Sequence, residues 1–412
     1  MANTLLTPTM ITREAQMVLH QKLNLVGNMN RQYDSQFART GGKIGTSLNL
    51  RIPPKYTVRS GATYSAQNVV ERQVALPCAT QKGIDCTISD VEMAMSLENF
   101  RQTILEPAMA QLAAQIEYDA LAGVYVKVPN YVGTVSSQID FKKFQQCGQV
   151  LTENLAPVDR NRVMGLNPSS RVEFSDAVKG LFQSSDNIDA QYREGKVGRT
   201  GGFDVYENTL IPAHTTGTYG GSPLTNGANQ GSTGSGNAYP TSTDLITDGW
   251  TVTTTVLKAG DIITIGDVYE VHPETKVSLG RLKRFVVTAD TTTDGAGNST
   301  ITISPAIIAG GAYQNVTARA GDGKTITVLG TSATAYGQNL AFHRDAFAFV
   351  TADLVIPNGV DMAAREVYDG ISMRFVRWYD GDTGDFKSRF DILYGYAAVY
   401  PELACRLVHQ LT

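Results

Sequence analysis

The sequence predicts an α+β protein with a small all-β domain inserted into it, and three observations carry that prediction. Residues 98–124, ENFRQTILEPAMAQLAAQIEYDALAGV, form a long helical pattern. In it Leu105, Met109, Leu112, Ile116, Ala120 and Val124 recur at three- and four-residue steps as one apolar stripe. Just before it lie two extended segments, Ser47 to Val58 and Val70 to Thr87. Composition then shifts after Thr215: a Gly-, Ser- and Thr-rich run reaches Thr243, and β-branched segments separated by turn signals continue to about Gly330.

Composition sets the outer limits. A chain of 412 residues that is 42% hydrophobic can bury two or three cores. Only 18% of residues are charged, the net charge is −4 and no block of like charge occurs, which argues against a dedicated nucleic-acid binder. A locally basic inner surface remains compatible with this. Cys78, Cys86, Cys147 and Cys405 are too few and too irregularly spaced for a disulfide framework or a zinc site. They read as buried small apolar residues, with a Cys78–Cys86 meeting across a hairpin as the alternative. The N-terminal MANTLLTPTMITREA lacks the basic flank and apolar run of a signal peptide, and no stretch approaches the ~20 apolar residues that span a bilayer. Synthesis and work in the cytoplasm are therefore expected.

Residues 1–11 read as a polar arm. Thr12 is the expected N-cap of a short helix whose face is Ala15, Val18, Leu19, Leu23 and Val26, a face expected to pack outside the arm, often on another subunit. Pro53 and Pro54 keep the first extended segment out of a sheet centre, so the pair reads as a projecting hairpin needing a neighbour to lie on, or as an ordinary edge hairpin. Pro107 suits the first turn of a helix, which places a break near Glu106.

Residues 139–212 alternate helical segments (141–155 and 172–183) with loop, and the run 189–212 is loop followed by strand, a mixed α/β domain. The run 215–243 reads as a flexible linker. The strands after it, with turns at Asp294-Gly295 and Asp322-Gly323, suggest a small antiparallel barrel or sandwich. Residues 339–357 resume a core-like pattern, so the β domain is an insertion. Strands 372–380 and 385–395 flank a turn at 381–384, and residues 396–408 close the chain. Arg374 and Arg377 read first as a solvated face, with a salt-bridged interface or a surface touching packaged polymer as alternatives.

Several strings imitate chemistry and fail. Gly321 to Thr325, GDGKT, lacks the first glycine of a phosphate-binding loop, that position being Ala318, and lies between strands. His343-Arg344-Asp345 matches the kinase catalytic triplet, but Val350 stands where asparagine is required. Asp380 and Asp382 begin a calcium-loop spacing, which Asp385 and Asp391 then break. His20, His214, His272, His343 and His409 are scattered singly, without metal-ligand spacing. No catalytic residue, cofactor or metal site is expected, and none of these strings points to an enzyme.

The ordered set of segments resembles a known family. The arm NTLLTPTMITREA, the loop RIPPKYTVRSGATY with VALPCATQKGIDCTISDVEMAMSLENF, the helix ILEPAMAQLAAQIEYDALAG and the run VKGLFQSSDNIDAQYREGKVGRTGGFDVYENTLIP carry the likeness. The insert LKAGDIITIGDVYEVHPETK and its continuation, then NLAFHRDAFAFV, complete it. Together they are similar to tailed-bacteriophage major capsid proteins of the Hong Kong 97-type fold, in the coat-protein branch of short-tailed Salmonella-type phages.

The resemblance implies an N-arm at 1–45, an extended loop at 46–88, a peripheral domain with spine helix at 89–138 and an axial domain at 139–214. It implies linker and inserted β domain at 215–335, a second axial part at 336–371, and C-terminal strands returning to the peripheral domain at 372–412. It further implies pentamers and hexamers of this chain in an icosahedral shell around double-stranded DNA, built first as a rounder precursor. A separate scaffolding protein, a portal protein, a possible decoration protein and non-specific DNA contact would be the other partners, with localisation in the virion after assembly in the bacterial cytoplasm. Tyr56, Arg59 and Tyr64 on the loop and Val18, Leu19 and Leu23 on the arm are the subunit-interface candidates. Lys55 is the only lysine between Ser47 and Val70 of the projecting loop and nothing marks a partner for it, so no crosslink is expected. A tail-tube subunit would explain the strands but not the long helix with a projecting hairpin. A β-domain binding module or surface adhesin should carry an export signal.

Overall fold

The computed structural model describes residues 8–32, 47–64, 66–87, 104–133, 138–178, 198–235, 239–368, 370–381 and 385–410. They divide into two compact units. The first holds Met1–Leu50, Val74–Gly123 and Phe347–Val399; the second holds Arg51–Gln73, Val124–Ala346 and Tyr400–Thr412.

The first unit is built on a five-stranded antiparallel sheet ordered Phe347–Ala352, Asp385–Ala398, Ile371–Asp380 and Met362–Tyr368, with Thr80–Thr87 also paired to Asp385–Ala398. Helix α1 (Pro8–Lys22) lies against the strands Met362–Tyr368 and Ile371–Asp380. It starts at Pro8, where a missing N–H costs nothing. Thr12 is therefore not the N-cap the sequence suggests; it sits one turn inside, its hydroxyl donating to the Pro8 carbonyl at 2.8 Å.

Helix α2 (Glu106–Tyr125) has Pro107 as its second residue, after a wider π-type turn at Ile104 and Leu105, so the expected break falls at Glu106. Its stripe Leu105, Met109, Leu112, Ile116, Ala120 and Val124 is wholly buried. The earlier part of the predicted helix, 98–103, lies outside the described residues.

The second extended segment is not one strand. Arg72–Pro77 pairs with Ser47–Ile52, whereas Thr80–Thr87 leaves to join the sheet, Thr80 opposite Tyr394 and Thr87 opposite Lys387. Pro77 cannot donate to a ladder, which marks the change of partner. The first segment stops at Ile52 because Pro53 and Pro54 follow.

The second unit carries a seven-stranded sheet ordered Tyr131–Val132, Ala404–Gln410, Ala335–His343, Arg162–Leu166, Phe203–Glu207 and Arg199–Thr200, with Ala213–Thr215 also on Ala335–His343. Helix α3 (Phe141–Glu153) is capped by Asp140, whose carboxylate accepts the Lys143 amide at 2.7 Å. Helix α4 (Pro168–Val178) is capped by Asn167, which accepts the Ser170 amide at 2.7 Å. Phe144 stacks on Phe174 at 4.5 Å and meets Phe203 edge-on at 5.5 Å in a core that also holds Cys147 and Cys405. Both thiols are free, and the Cys405 neighbour together with burial pushes the Cys147 thiol well up. Cys86 is only half-buried, unlike the other three.

The inserted domain is a six-stranded antiparallel sheet ordered Ile326–Val328, Ile262–Val271, Ser278–Val287, Ser299–Ser304, Thr243–Trp250 and Gly221–Thr225. Its edges meet: the Thr225 amide donates to the Lys324 carbonyl at 2.9 Å, closing a barrel around Leu245, Ile263, Phe285, Ile301 and Ile303. The segment 215–243 is thus more than a linker, since Gly221–Thr225 supplies a barrel strand paired to Thr243–Trp250.

Unit boundaries also differ from those the sequence suggests. Phe347 onward, rather than residue 372 onward, belongs to the first unit, and residues 400–412 belong to the second. Register explains the latter: Ala404 through Gln410 pairs residue by residue with Phe342 through Tyr336.

Candidate assembly surfaces

The arm is fastened to its own chain. Val18, Leu19 and Leu23 are buried in the isolated subunit, so they do not offer the outward face expected of them. Amphipathic spacing shows that a face is covered, not by which chain. Gln16 donates to the Glu366 carbonyl at 3.0 Å and to that of Ile371, and the His20 and Tyr368 rings meet edge-on at 5.4 Å. Beyond α1, the buried Glu117 carboxylate accepts the Leu25 amide at 2.6 Å and the Asn24 amide at 3.2 Å. Asn30 then exchanges backbone hydrogen bonds with Phe347 and Phe349, both at 3.0 Å.

The loop between Ile52 and Arg72 is the opposite case. Tyr56 is 59% exposed, Tyr64 84% and Val58 100%, and Arg59 is exposed beside them. Three apolar or aromatic side chains are thus open to solvent on one loop of the isolated chain. The loop has internal order: Gln67 accepts the Thr57 amide at 2.8 Å and donates to the Thr57 carbonyl at 2.6 Å, so one side chain imitates a strand partner. Arg59 donates to the Gly61 carbonyl across the tip. Tyr56, Arg59 and Tyr64 thus all lie exposed on one segment of the chain.

Arg374 and Arg377 are ion-paired rather than solvated. Arg374 meets Asp391 at 2.6 Å; Arg377 meets Asp361 at 2.9 Å and lies 4.1 Å from the Phe386 ring centroid. Lys324 of the phosphate-loop imitation is held by Asp267 at 2.6 Å, and His343 lies 3.3 Å from Asp159. The calcium-like spacing at Asp380–Asp391 falls partly outside the described residues. Among the described residues no group of His, Cys, Asp and Glu is arranged to hold a metal ion, and no helix is long and apolar enough to cross a membrane.

Two polar clusters escaped sequence reasoning because their members are far apart in the chain. In one, Asp261 accepts from the Gly217 amide at 3.1 Å and the Lys258 amide at 2.8 Å and meets His214 at 2.7 Å. His214 in turn meets the Tyr125 hydroxyl at 3.1 Å. Beside them the buried Arg406 donates to the carbonyls of Val128 and Gly260, each at 2.8 Å, and burial lowers its pKa to about 10. In the other, Glu270 holds Arg281 at 2.6 Å and Lys283 at 2.7 Å, and Arg281 also reaches Glu153 of α3. Burial alone would raise the Glu270 carboxyl; Lys283 and Arg281 hold it below its ordinary value.

Residues 59–407 match the family model of the P22 coat protein, gene protein 5. Among solved structures the chain is similar to one of Mycobacterium phage Che8, at 15% identity and TM-score 0.46 over 94% of this chain and 90% of that one. It is also similar to the capsid of the cyanophage P-SCSP1u, at 10% identity and TM-score 0.42 over 89% and 84%. The CUS-3 coat protein I-domain is 25% identical over 27% of this chain and 98% of its own, with TM-score 0.20. No curated protein matches the chain.

Proposed function

The chain belongs to the P22 coat protein family, whose model covers residues 59–407, and on that premise we propose that it packs as pentamers and hexamers through its extended loop. It is a major capsid protein of a tailed phage and forms the icosahedral shell of the virion. The family match over most of the chain carries this reading. The assembly surface we assign is the exposed segment bearing Tyr56, Arg59 and Tyr64, which would lie on a neighbouring copy. Many modest, repeated interfaces suffice in a closed shell, because symmetry multiplies each one.

Within this reading the chain has no turnover chemistry. Its work is a switch of arm, loop and spine helix as a precursor shell fills with double-stranded DNA and expands. The first unit would correspond to the peripheral domain and the second to the axial domain with its insertion. A separate scaffolding protein and a portal protein would complete the particle, and DNA would meet the inner surface without sequence preference, in keeping with a net charge of −4. Assembly would take place in the host cytoplasm.

Tyr64→Ala and Arg59→Ala test the loop assignment. Both residues are exposed, so soluble subunit should be retained while closed shells, measured by sedimentation, fall at least about tenfold, the loss of one anchoring contact per interface. Loss of soluble subunit in proportion to lost shells would make the loop a folding element and overturn the assignment.

A further inference from the structure

The inserted barrel holds the base of the extended loop, and one tyrosine touches both limbs of it. The Tyr313 hydroxyl donates to the Val70 carbonyl of the returning limb at 2.9 Å and lies 3.4 Å from the Lys55 amide of the outgoing limb, which donates to it. The Arg72 guanidinium stacks over the Tyr313 ring at 4.2 Å and donates to the carbonyls of Tyr239 and Pro240, each at 3.0 Å. Tyr239 packs against Tyr313 at 4.8 Å between ring centroids, and Val70 packs on the same small apolar cluster with Ala306, Ile308 and Ala312.

The turn that carries Tyr313 is itself fixed. The Lys276 ammonium donates to the carbonyls on either side of it, Ala312 at 3.0 Å and Gln314 at 3.1 Å, as well as to Pro273 at 2.7 Å. All these residues fall within the second compact unit, which includes Arg51–Gln73 although that segment is far in sequence from the barrel. A loop exposed over most of its length would otherwise pay its whole ordering entropy on meeting a neighbour. Held at both limbs, it meets the neighbour already shaped.

We propose that the inserted β domain is the intramolecular seat of the extended loop, with Tyr313 and Arg72 as positioning residues that present Tyr56, Arg59 and Tyr64 to a second copy of this chain. This rests on the assembly role proposed above. It gives the insertion a task that its barrel fold alone does not suggest: it fixes the direction of a contact element belonging to another part of the chain.

The test is hydrogen exchange on the full-length unassembled subunit, followed by shell assembly, for Tyr313→Phe and Arg72→Ala. Tyr313→Phe keeps the ring and removes both hydroxyl bonds; Arg72→Ala alters the loop side alone and leaves the barrel core intact. In Tyr313→Phe the Lys55 amide should exchange about tenfold faster, the effect of one lost hydrogen bond. In Arg72→Ala the loop amides between Tyr56 and Val70 should speed up as well. Barrel amides at Ile263 and Phe285 should be unchanged in both, and closed-shell yield should fall while subunit solubility holds. Loop exchange equal to the parent's in both variants overturns the clamp. Faster loop exchange with normal shell yield overturns its role in presentation. Failure of the parent chain itself to form shells would refute the assembly reading, a result distinguishable because the exchange measurement does not need shells.

Discussion

At the scale of single residues, close approach and buried charge decide what the fold tolerates. Gly395 sits where an added Cβ would come within 1.7 Å of the Pro77 carbonyl oxygen, a backbone atom that cannot swing away. Gly395→Ala should therefore cost about 3 kcal/mol or prevent folding, read as a lowered urea midpoint with unchanged slope. Glu117 poses the opposite problem, since its buried carboxylate satisfies two backbone amides after α1. Glu117→Ala would strand both, and a loss of about 2–3 kcal/mol is expected, with faster exchange of the Leu25 amide as the local signature. Neither feature shows in the sequence: Glu117 falls off the apolar stripe of its helix, which gives no hint that a distant turn lies on it.

At the scale of elements, the apolar spacing is legible, the helix starts only in part and the partners not: the sequence suggests a cap at Thr12 and a helix from 172, whereas the helices begin at Pro8 and Pro168. The stripe from Leu105 to Val124, the helix read at 141–155 and found at Phe141–Glu153, and the barrel strands after Asp244 all follow from periodicity and turn residues. Asn167 caps α4 with Pro168 at its first turn, a local signal, and Asn167→Ala should cost about 1 kcal/mol in thermal unfolding. The strand Gly221–Thr225 was invisible because Gly, Ser and Thr carry no apolar alternation, and the split of the second extended segment depends on which sheet accepts each half.

The Glu270 network belongs to this scale because it ties two barrel strands to α3. Its carboxyl titrates below the ordinary 4.5 in the folded chain, so the unfolded chain binds the proton first as pH falls. The network's contribution is complete above about pH 4.5 and is lost as pH drops through the folded value. Glu270→Gln should accordingly be less stable than the parent at neutral pH, and the difference should shrink in melts taken at progressively lower pH. A difference that stays constant down to pH 3 would exclude charge as the cause.

At the scale of the whole molecule, the reading is of a subunit whose arm is tied down within its own chain and whose loop is left open. The sequence made both segments look like contacts for a neighbour, because amphipathic spacing and sparse apolar content cannot say which surface covers them. The burial of Val18, Leu19 and Leu23 against the exposure of Tyr56 and Tyr64 separates the two cases. That contrast favours the loop over the arm as the proposed assembly element, and the order of arm, loop, spine helix, sheet and inserted barrel is the one expected of a Hong Kong 97-type shell subunit. The most direct measurement is negative-stain electron microscopy of the purified protein, produced with and without its neighbouring virion genes. Closed shells or capsomer-built polyheads are expected, with uniform closure only when those genes are present. Stacked narrow tubes, or a monodisperse monomer in both preparations, would contradict the account.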